Sequence, residues 1–221
     1  MRPERGDVQG AEEDEEALAV RLGVSRETAA RLKRFVSLLR RWNARINLIA
    51  PSTIPHVWDR HVRDSLQLLD HLDPRRLAAG LDLGSGAGFP GLVLAIAGRI
   101  PMTLVEADRR KASFLRLVVA ETGAPADVVN HRIESLAPAD GPRPAILTAR
   151  ALKPLPQLLA LARPWLAAGD AVLWAWKGAR WQEELTAARK DWIFALESYP
   201  SRTDPAARLL RIARLRPREG T

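Results

Sequence analysis

A dense run of glycines near the middle of the chain is the feature that most constrains its fold. Four glycines fall between positions 84 and 91, within the segment LDLGSGAGFPGLVLAIAG (81–98). An apolar run precedes them and an uncharged apolar run follows. Because glycine costs conformational entropy, such a cluster indicates backbone at positive φ or in close approach to a ligand. The segment predicts a strand, a ligand-binding loop and a helix, in that order.

Strand and helix patterns alternate from residue 79 onward. Helical patterns lie between most of the apolar runs, which predicts a mostly parallel α/β sheet covered on both faces. Only the turn SRTDPA separates the last two runs, so we expect a closing antiparallel hairpin. The seven predicted strands are AGLDLGS, MTLVEA, ADVVNHR, PAILTARA, DAVLWAWKG, DWIFALESYP and ARLLRIARLRP.

The first 72 residues carry helical patterns and no strand pattern. A polar, acidic start is predicted to be disordered, and three helices are predicted after it: in EEDEEALAVRLGV, from Ser25 in SRETAARLKRFVSLLRRWNARINLI, and in TIPHVWDRHVRDSLQLLDHL. We therefore expect an acidic tail and helical extension over 1–72 and a Rossmann-like domain over 73–221. The two parts are expected to pack as one globular unit.

Composition narrows the classes of function. The 221 residues include no cysteine, which excludes disulfides, zinc–thiolate sites and cysteine nucleophiles. No apolar run approaches the roughly 20 residues that span a bilayer, and the polar start is not a signal peptide, so we expect a cytoplasmic protein. The net charge is +8 although the first 20 residues are acidic. That balance favours a polyanionic partner, with an arginine-rich composition that only aids solubility as the alternative.

The glycine spacing distinguishes between nucleotide-type ligands. Ligands of open α/β sheets bind beyond the carboxyl ends of the strands, where this loop is expected to lie. The loop lacks the Gly-Lys-Ser/Thr of a P-loop, and a dinucleotide site needs G-x-G-x-x-G. The chain instead has G-x-G-x-G at 84, 86 and 88, with Asp82 two residues upstream. This arrangement is typical of S-adenosylmethionine-dependent methyltransferases and disfavours an NAD-dependent oxidoreductase.

Further candidate contacts follow the second and third strands. Glu106 lies 22 residues after Gly84, where a carboxylate can accept hydrogen bonds from both ribose hydroxyls. Ile133 and Glu134 fall where an adenine ring and its amine are normally contacted. S-adenosylmethionine and NAD both carry a ribose, so Glu106 does not distinguish between these two cofactors. Solvated loop acids at Asp82 and Glu106 are the alternative interpretation.

The end of the fourth strand, LTARALKP (147–154), is expected to lie beside the reactive methyl group. It lacks the Asp/Asn-Pro-Pro-Tyr/Phe of adenine amino-methylation, and C5-pyrimidine methylation needs an absent cysteine. Guanine N7 carries an in-plane lone pair and no proton, so its methylation needs alignment and no general base. Arg150 is a candidate for binding guanine O6 or phosphate, or for ordering the pocket. The alternative is a structural arginine paired with an acid such as Asp64.

Several segments together resemble a known family. They are WNARINLIAPSTIPHVWDRHVRDSL, LDLGSGAGFPGLVLAIAGRIPMTLVEADRRKASFLRLV, HRIESL, TARALKPL and WKG, between about residues 30 and 180. They resemble the bacterial 16S rRNA guanine-N7 methyltransferase family, also called glucose-inhibited division protein B. The resemblance implies a Class I S-adenosylmethionine-dependent methyltransferase fold and a monomer. It also implies methylation of a guanine in the decoding-region loop, on the small ribosomal subunit or its assembly intermediate.

The resemblance and the loop pattern together give the expected site residues. Arg150 is expected to act in catalysis by positioning, with no general base and no metal. Asn47, His61, Asp64 and Ser65 are implied near the pocket mouth, with helix packing or capping equally open for Asn47 and Ser65. A binding module without catalysis also stays open, because the reaction needs no signature base. Expected cofactor contacts are Asp82, Gly84, Ser85, Gly86, Gly88, Phe89, Glu106, Ala107, Ile133, Glu134 and Arg150. Expected RNA contacts are His61, Arg63, Arg109, Arg132, Lys153 and Lys177.

Overall fold

Seven short strands pair into one sheet in the order β3-β2-β1-β4-β5-β7-β6. The computed structural model describes residues 14–73, 79–136, 144–167 and 171–218. Strands β1 to β5 run parallel, whereas β7 is antiparallel to both β5 and β6. The predicted mostly parallel sheet and its closing hairpin are therefore confirmed. The strands are β1 (Gly80–Leu83), β2 (Met102–Val105), β3 (Ala126–Val129), β4 (Ile146–Arg150), β5 (Val172–Lys177), β6 (Trp192–Pro200) and β7 (Arg208–Pro217).

The helices cover the sheet and form the N-terminal extension. The side chain of Ser25 accepts a hydrogen bond from the Thr28 amide at the start of α2, which confirms the predicted helix start. The tail over residues 1–13, predicted to be disordered, lies outside the described residues. The helices are α1 (Glu15–Leu22), α2 (Arg26–Asn43), α3 (Asp64–Leu66), α4 (Gly91–Gly98), α5 (Arg109–Thr122), α6 (Leu155–Leu166) and α7 (Trp181–Asp191).

The segment from 51 to 71 is helical, but it is not the single regular helix that the sequence predicts. A 3₁₀ helix (Pro51–His56) leads into a π-helical stretch (Trp58–Arg63), the short α3 and a second 3₁₀ helix (Gln67–His71). Pro55 has no amide hydrogen to donate to the preceding turn, which disfavours a regular α-helix at its start. The predicted position of this segment is correct and its predicted regularity is wrong.

Two apolar layers enclose the sheet. Helices α6 and α7 pack on one face with side chains such as Leu158, Leu159 and Ala188. On the other face α2, α4 and α5 form a core that includes Phe35 and Phe114. Phe35 belongs to the helical extension, and its ring lies 5.1 Å from that of Phe89 in the glycine loop. The extension therefore shares the core of the sheet and covers the edge where the strands end.

Candidate functional site

A cavity of about 600 Å³ lies at the carboxyl ends of the central strands. This volume is within the range of roughly 300–1,000 Å³ that is usual for small-molecule sites. The glycine loop after β1 forms one wall, and residues 105–107 and 131–134 form the next. The start of the segment after β4 and residues 48–53 of the extension complete the lining. The position matches the ligand site of an open α/β sheet.

The glycine loop has the backbone conformation that its sequence predicts. Gly84, Gly86 and Gly88 have φ values of 68°, 53° and 96°, a region that side chains other than glycine rarely adopt. A Cβ atom added at Gly86 would meet no atom closer than the Gly84 carbonyl oxygen, at 3.8 Å. The loop therefore leaves open space in the cavity beside its own backbone, as a cradle for a ligand requires.

Glu106 holds the loop against the end of β2. Its Oε2 accepts a hydrogen bond of 2.7 Å from the Gly86 amide, and its Oε1 accepts one of 2.8 Å from the Asp108 amide. Asn130 donates from its side chain to the Glu106 carbonyl oxygen at 2.8 Å. The carboxylate is 9% exposed and lines the cavity. It is fixed in place with acceptor capacity left on both oxygens.

Asp82 lies beneath the loop and does not line the cavity. It is 1% exposed, and its Oδ1 accepts a hydrogen bond of 2.6 Å from the Thr148 hydroxyl of β4. Burial raises its pKa to about 6, against the lowering effect of the hydrogen bond from Thr148. The alternative of solvated loop acids is wrong for both Asp82 and Glu106. Neither Asp82 nor Gly88 lines the cavity, and their cofactor contacts stay predictions.

Phe89 and His61 form the wall between the loop and the extension. Their rings are stacked, with centroids 5.0 Å apart and planes at 26°. The Nε2 of His61 lies 3.1 Å from the Thr53 hydroxyl oxygen. Burial, aided by the charges of Arg150 and Arg60, lowers the pKa of His61 to about 4. His61 is therefore neutral at physiological pH and serves as a stacking and hydrogen-bonding group.

Arg150 ends β4 and is held by the extension. Its Nη2 lies 3.1 Å from Asp64 Oδ2 and donates to the Arg60 carbonyl oxygen. Burial lowers the pKa of the guanidinium, while the Asp64 carboxylate acts in the opposite direction. Its Nη1 is buried and has no hydrogen-bond partner among the described residues. The pairing with Asp64 that the sequence offered as an alternative is confirmed, and Arg150 lines the cavity as well.

Asp64 connects three elements at this end of the sheet. Its Oδ1 accepts hydrogen bonds from Ser201 at 3.2 Å and Thr203 at 3.0 Å, in the turn between β6 and β7. Its carbonyl oxygen accepts one of 2.9 Å from the Trp176 indole of β5. Asp64 thus positions Arg150 and the β6–β7 turn relative to each other.

Most of the predicted cofactor contacts meet at this cavity. Nine of the eleven line it, and the two that do not are Asp82 and Gly88. Phe89 and Ile133 are buried and give the cavity an apolar surface, whereas Glu134 and Ala107 are exposed at its rim. The nine are Gly84, Ser85, Gly86, Phe89, Glu106, Ala107, Ile133, Glu134 and Arg150.

Comparison with known proteins identifies the family. The model of the family described as rRNA small subunit methyltransferase G matches residues 28–206. The chain belongs to this family. It is 48% identical to the ribosomal RNA small subunit methyltransferase G of Paramagnetospirillum magneticum, over 89% of this chain and 94% of that protein. The protein of the same name from Rhodospirillum centenum is 50% identical over 89% and 88% of the two chains.

Solved structures agree on the fold of this family member. A variant of MtNAS in complex with S-adenosylmethionine aligns with a TM-score of 0.54 at 16% identity, over 90% of this chain and 84% of that one. A putative methyltransferase, yhhF from Escherichia coli, gives 0.51 at 22% identity over 68% and 86%. The Class I S-adenosylmethionine-dependent methyltransferase fold and the resemblance found in the sequence are both confirmed. The family also excludes the NAD-dependent oxidoreductase alternative.

Across the described residues, no helix is both long and apolar enough to cross a membrane. The same residues hold no group of three or more histidine, aspartate or glutamate side chains arranged to bind a metal ion.

The expected RNA contacts divide into exposed and buried residues. Arg63, Arg109, Arg132 and Lys153 are exposed, and the last two line the cavity together with His61. Lys177 is 7% exposed, and its Nζ donates to Glu184 Oε2 at 2.8 Å and to the Lys153 carbonyl oxygen at 2.6 Å. Lys177 is therefore a buried and paired lysine, and its contact with RNA phosphate stays a prediction.

Some residues that line the cavity were not predicted individually from the sequence. Thr53, His131 and Leu152 line it, and the motifs that contain them did not distinguish them as site residues. Asn47 is exposed outside the cavity lining, whereas Leu48 and Ile49 line it. The reason is that Asn43 Oδ1 accepts hydrogen bonds from both of their amides, each 2.9 Å, and folds that loop inward. Asn43 ends α2, although the predicted helix continues to residue 49, and an asparagine at this position is a sequence signal for the turn.

Proposed function

We propose that the protein transfers a methyl group from S-adenosylmethionine to N7 of a guanine in the decoding-region loop of 16S rRNA. The observation that carries the proposal is the cavity itself. It combines an open glycine loop, a fixed carboxylate at the end of β2 and a half-buried, paired arginine at the end of β4. The names of the curated relatives support small-subunit rRNA as the substrate, and the family resemblance supports N7 as the atom that is methylated.

The cavity residues fit the methyl donor. Glu106 is placed to accept hydrogen bonds from the ribose hydroxyls of S-adenosylmethionine. Ile133 and Phe89 are placed to contact the flat and apolar parts of the same molecule. The open space beside Gly86 leaves room for the methionine portion. Gly84, Ser85, Ala107 and Glu134 complete the proposed contacts, with Asp82 and Gly88 supporting the loop. S-adenosylmethionine, when bound, supplies a methyl group on a positively charged sulfur.

The protein residues are proposed to align the reactants and not to transfer protons. Guanine N7 has a lone pair and carries no proton, so no side chain has to remove one. His61, with its pKa lowered to about 4, provides a neutral ring on the cavity wall. Arg150, held by Asp64, provides a fixed positive charge beside the cavity. Fixed geometry and charge of this kind account for large parts of enzymatic rate enhancement.

The remaining assignments belong to the same proposal. RNA phosphates are expected to contact Arg63, Arg109, Arg132 and Lys153, with His61 at the rim. The extension (1–72) and the methyltransferase domain (73–221) are proposed to act as one monomeric unit on the small subunit or its assembly intermediate. Such a substrate places the enzyme in the cytoplasm. A cofactor-binding assembly factor without catalysis is the competing function.

Label transfer tests the proposed reaction. The protein is incubated with radiolabelled S-adenosylmethionine and small subunits from a strain that lacks this modification. We expect label in 16S rRNA as N7-methylguanosine. Cofactor binding without transfer would support the assembly factor instead.

A loop variant tests the site. Gly86→Asp directs a carboxylate into the cavity beside Glu106, and we expect donor affinity to fall at least about tenfold, equivalent to about 1.4 kcal/mol. Gly123→Asp is the matched control, because Gly123 also has positive φ (59°) and open space around it, yet ends α5 away from the cavity. Calorimetric titration with S-adenosylmethionine measures both variants. Equal loss in the two, or no loss in Gly86→Asp, would contradict the assignment of the loop.

A further inference from the structure

A second cavity of about 250 Å³ adjoins the first at the carboxyl ends of β4 and β5. The two cavities share Thr53, His61, Arg150 and Ala151, so they meet at these residues. The far side of the second cavity is the β6–β7 turn, which the sequence indicated only as the turn of the closing hairpin. Its volume is below the roughly 300–1,000 Å³ of sites for drug-sized ligands and suits a single flat ring system.

Polar groups of both signs line this second cavity. Arg60 and the half-buried Arg150 lie on the extension side, and the carboxylate of Asp204 lies on the turn. Asp204 Oδ1 accepts a hydrogen bond of 3.0 Å from the Ala206 amide. Its Oδ2 has no hydrogen bond within the described part of the chain, so the half-buried carboxylate keeps acceptor capacity for a ligand.

The turn that carries Asp204 is fixed by hydrogen bonds. The Asp204 amide donates to the Ser201 hydroxyl at 3.2 Å, and that hydroxyl donates to Asp64 Oδ1 at the same distance. The Arg208 guanidinium donates to the carbonyl oxygens of Pro205 and Ala207, at 3.0 and 2.9 Å. Asp64 therefore anchors Asp204 on one side of the cavity and Arg150 on the other.

We propose that this second cavity holds the acceptor guanine and that Asp204 is a specificity-determining residue that recognises it; this inference rests on the proposed function. The Watson–Crick edge of guanine offers two adjacent donors, N1–H and the 2-amino group, to a carboxylate that only accepts. Adenine presents an acceptor at N1, which a carboxylate repels. Arg150, whose buried Nη1 has no hydrogen-bond partner among the described residues, is placed to donate to guanine O6, which leaves the N7 lone pair free to face the methyl group.

The same placement matches the charge change of the reaction. The N7–CH₃ bond forms as the S–CH₃ bond breaks and its electron pair returns to sulfur, and no proton is released. The purine ring gains the positive charge that the sulfonium loses. A carboxylate on the N1–H edge interacts more strongly with the charged product ring than with neutral guanine, and it therefore favours the transition state.

Nucleotide binding tests the subsite without requiring turnover. The larger cavity of the ¹⁵N-labelled full chain is saturated with S-adenosylhomocysteine, and GMP or AMP is then added. We expect GMP to shift the backbone amide signals of Gly178 and Ala207, which both line the second cavity, at concentrations where AMP does not. Equal shifts with both nucleotides, or shifts confined to residues of the larger cavity, would overturn the proposal.

Variants then identify the group that reads the base. Asp204→Asn removes the charge and is expected to weaken GMP binding about tenfold, in line with a charged hydrogen bond. Asp127→Asn is the matched control, because Asp127 is an exposed carboxylate on β3 that does not line this cavity. Ala207→Phe fills the cavity and should abolish the GMP shifts while affinity for S-adenosylmethionine is kept. An Asp204→Asn protein that retains the wild-type preference for GMP would refute the role of Asp204.

A rate measurement separates this inference from the proposed function. On small subunits, Asp204→Asn should lower kcat/KM about tenfold with unchanged affinity for S-adenosylmethionine. A wild-type protein that prefers GMP yet labels no rRNA would contradict the proposed function and leave the subsite standing. A wild-type protein that labels rRNA, with Asp204→Asn equally fast, would contradict the role of Asp204 and leave the proposed function standing.

Discussion

The carboxyl group of Asp82 is the most deeply buried acidic side chain among the described residues, and its position makes stability depend on pH. Its pKa rises from 3.8 to about 6, so the folded state binds the proton more tightly than the unfolded state. This contribution to stability is therefore full below about pH 4 and is lost as pH rises through 6. The shift corresponds to about 3 kcal/mol.

A substitution isolates this contribution. Asp82→Asn keeps an acceptor oxygen for the Thr148 hydroxyl but cannot titrate. The difference in the free energy of unfolding, wild type minus variant, should fall by about 2 kcal/mol between pH 4 and 7.5. Urea unfolding of the cofactor-free chain across this range measures it. Parallel curves for the two proteins would show that Asp82 does not titrate in this interval.

Spacing along the chain predicted where the polar residues lie, but not what they contact. Asp82, Glu106 and Arg150 follow strand patterns, and parallel strands end at one edge, so their clustering follows from the sequence. The partner of Asp82 is Thr148, 66 positions away, and the partner of Arg150 is Asp64. Such pairs depend on tertiary packing. The same limit explains Lys177, an ordinary lysine in the sequence that the fold buries against Glu184.

At the scale of elements, the fit of α4 against β1 and β2 fixes the glycine loop. Gly91 begins α4, and a Cβ atom there would lie 2.5 Å from Leu104 Cδ2 and 2.6 Å from Asp82 Oδ2. Both neighbours are buried parts of the sheet, so the helix would have to move outward. Gly91→Ala should therefore lower the free energy of unfolding by about 1–3 kcal/mol, the usual cost of overpacking.

Chemical denaturation of Gly91→Ala beside Gly178→Ala measures this effect. A Cβ atom at Gly178 would meet nothing within 4 Å, and its φ lies outside the positive region, so this control should unfold like the wild type. An alanine at Gly91 that leaves the unfolding midpoint unchanged would show that α4 does not need this close approach.

Element order was predictable because periodicity is a local property. All seven strands and the hairpin at the end follow from alternating runs and turn residues. Pro55 indicated an irregular start to the segment from Pro51 to His71, but the π-helical stretch and the second 3₁₀ helix were not predictable, since their apolar spacing fits a regular helix. There the chain wraps the sheet edge, and packing of Val57 and Val62 in the shared core outweighs regular hydrogen bonding.

For the whole molecule, the site is complete only when the N-terminal extension and the β6–β7 turn meet at the sheet. The extension supplies His61 and Asp64, and the β6–β7 turn supplies Ser201 and Thr203, more than 130 positions later. No local pattern relates segments so far apart. The composition did predict a basic molecule, and the fold places exposed cations around the mouth of the larger cavity.

This distribution of charge predicts how RNA binding depends on salt. Each lysine or arginine that neutralises a phosphate contributes a slope of about −0.7 to −0.9 to the plot of log affinity against log salt. Arg132 and Lys153 are exposed at the cavity rim. The double variant Arg132→Gln/Lys153→Gln should therefore bind small subunits more weakly and with a slope reduced by about 1.4 to 1.8.

Filter binding with small subunits that lack the methyl group measures these slopes. Salt is varied from about 50 to 200 mM, the range over which phosphate contacts lose affinity. Arg26→Gln/Lys190→Gln is the matched control, because both residues are exposed and lie outside the cavity lining, at the start of α2 and the end of α7. It removes the same charge, so a general field effect would change both proteins alike. A reduced slope in the rim variant alone would place the RNA backbone at the mouth of the cavity, whereas equal slopes in both variants would place it elsewhere.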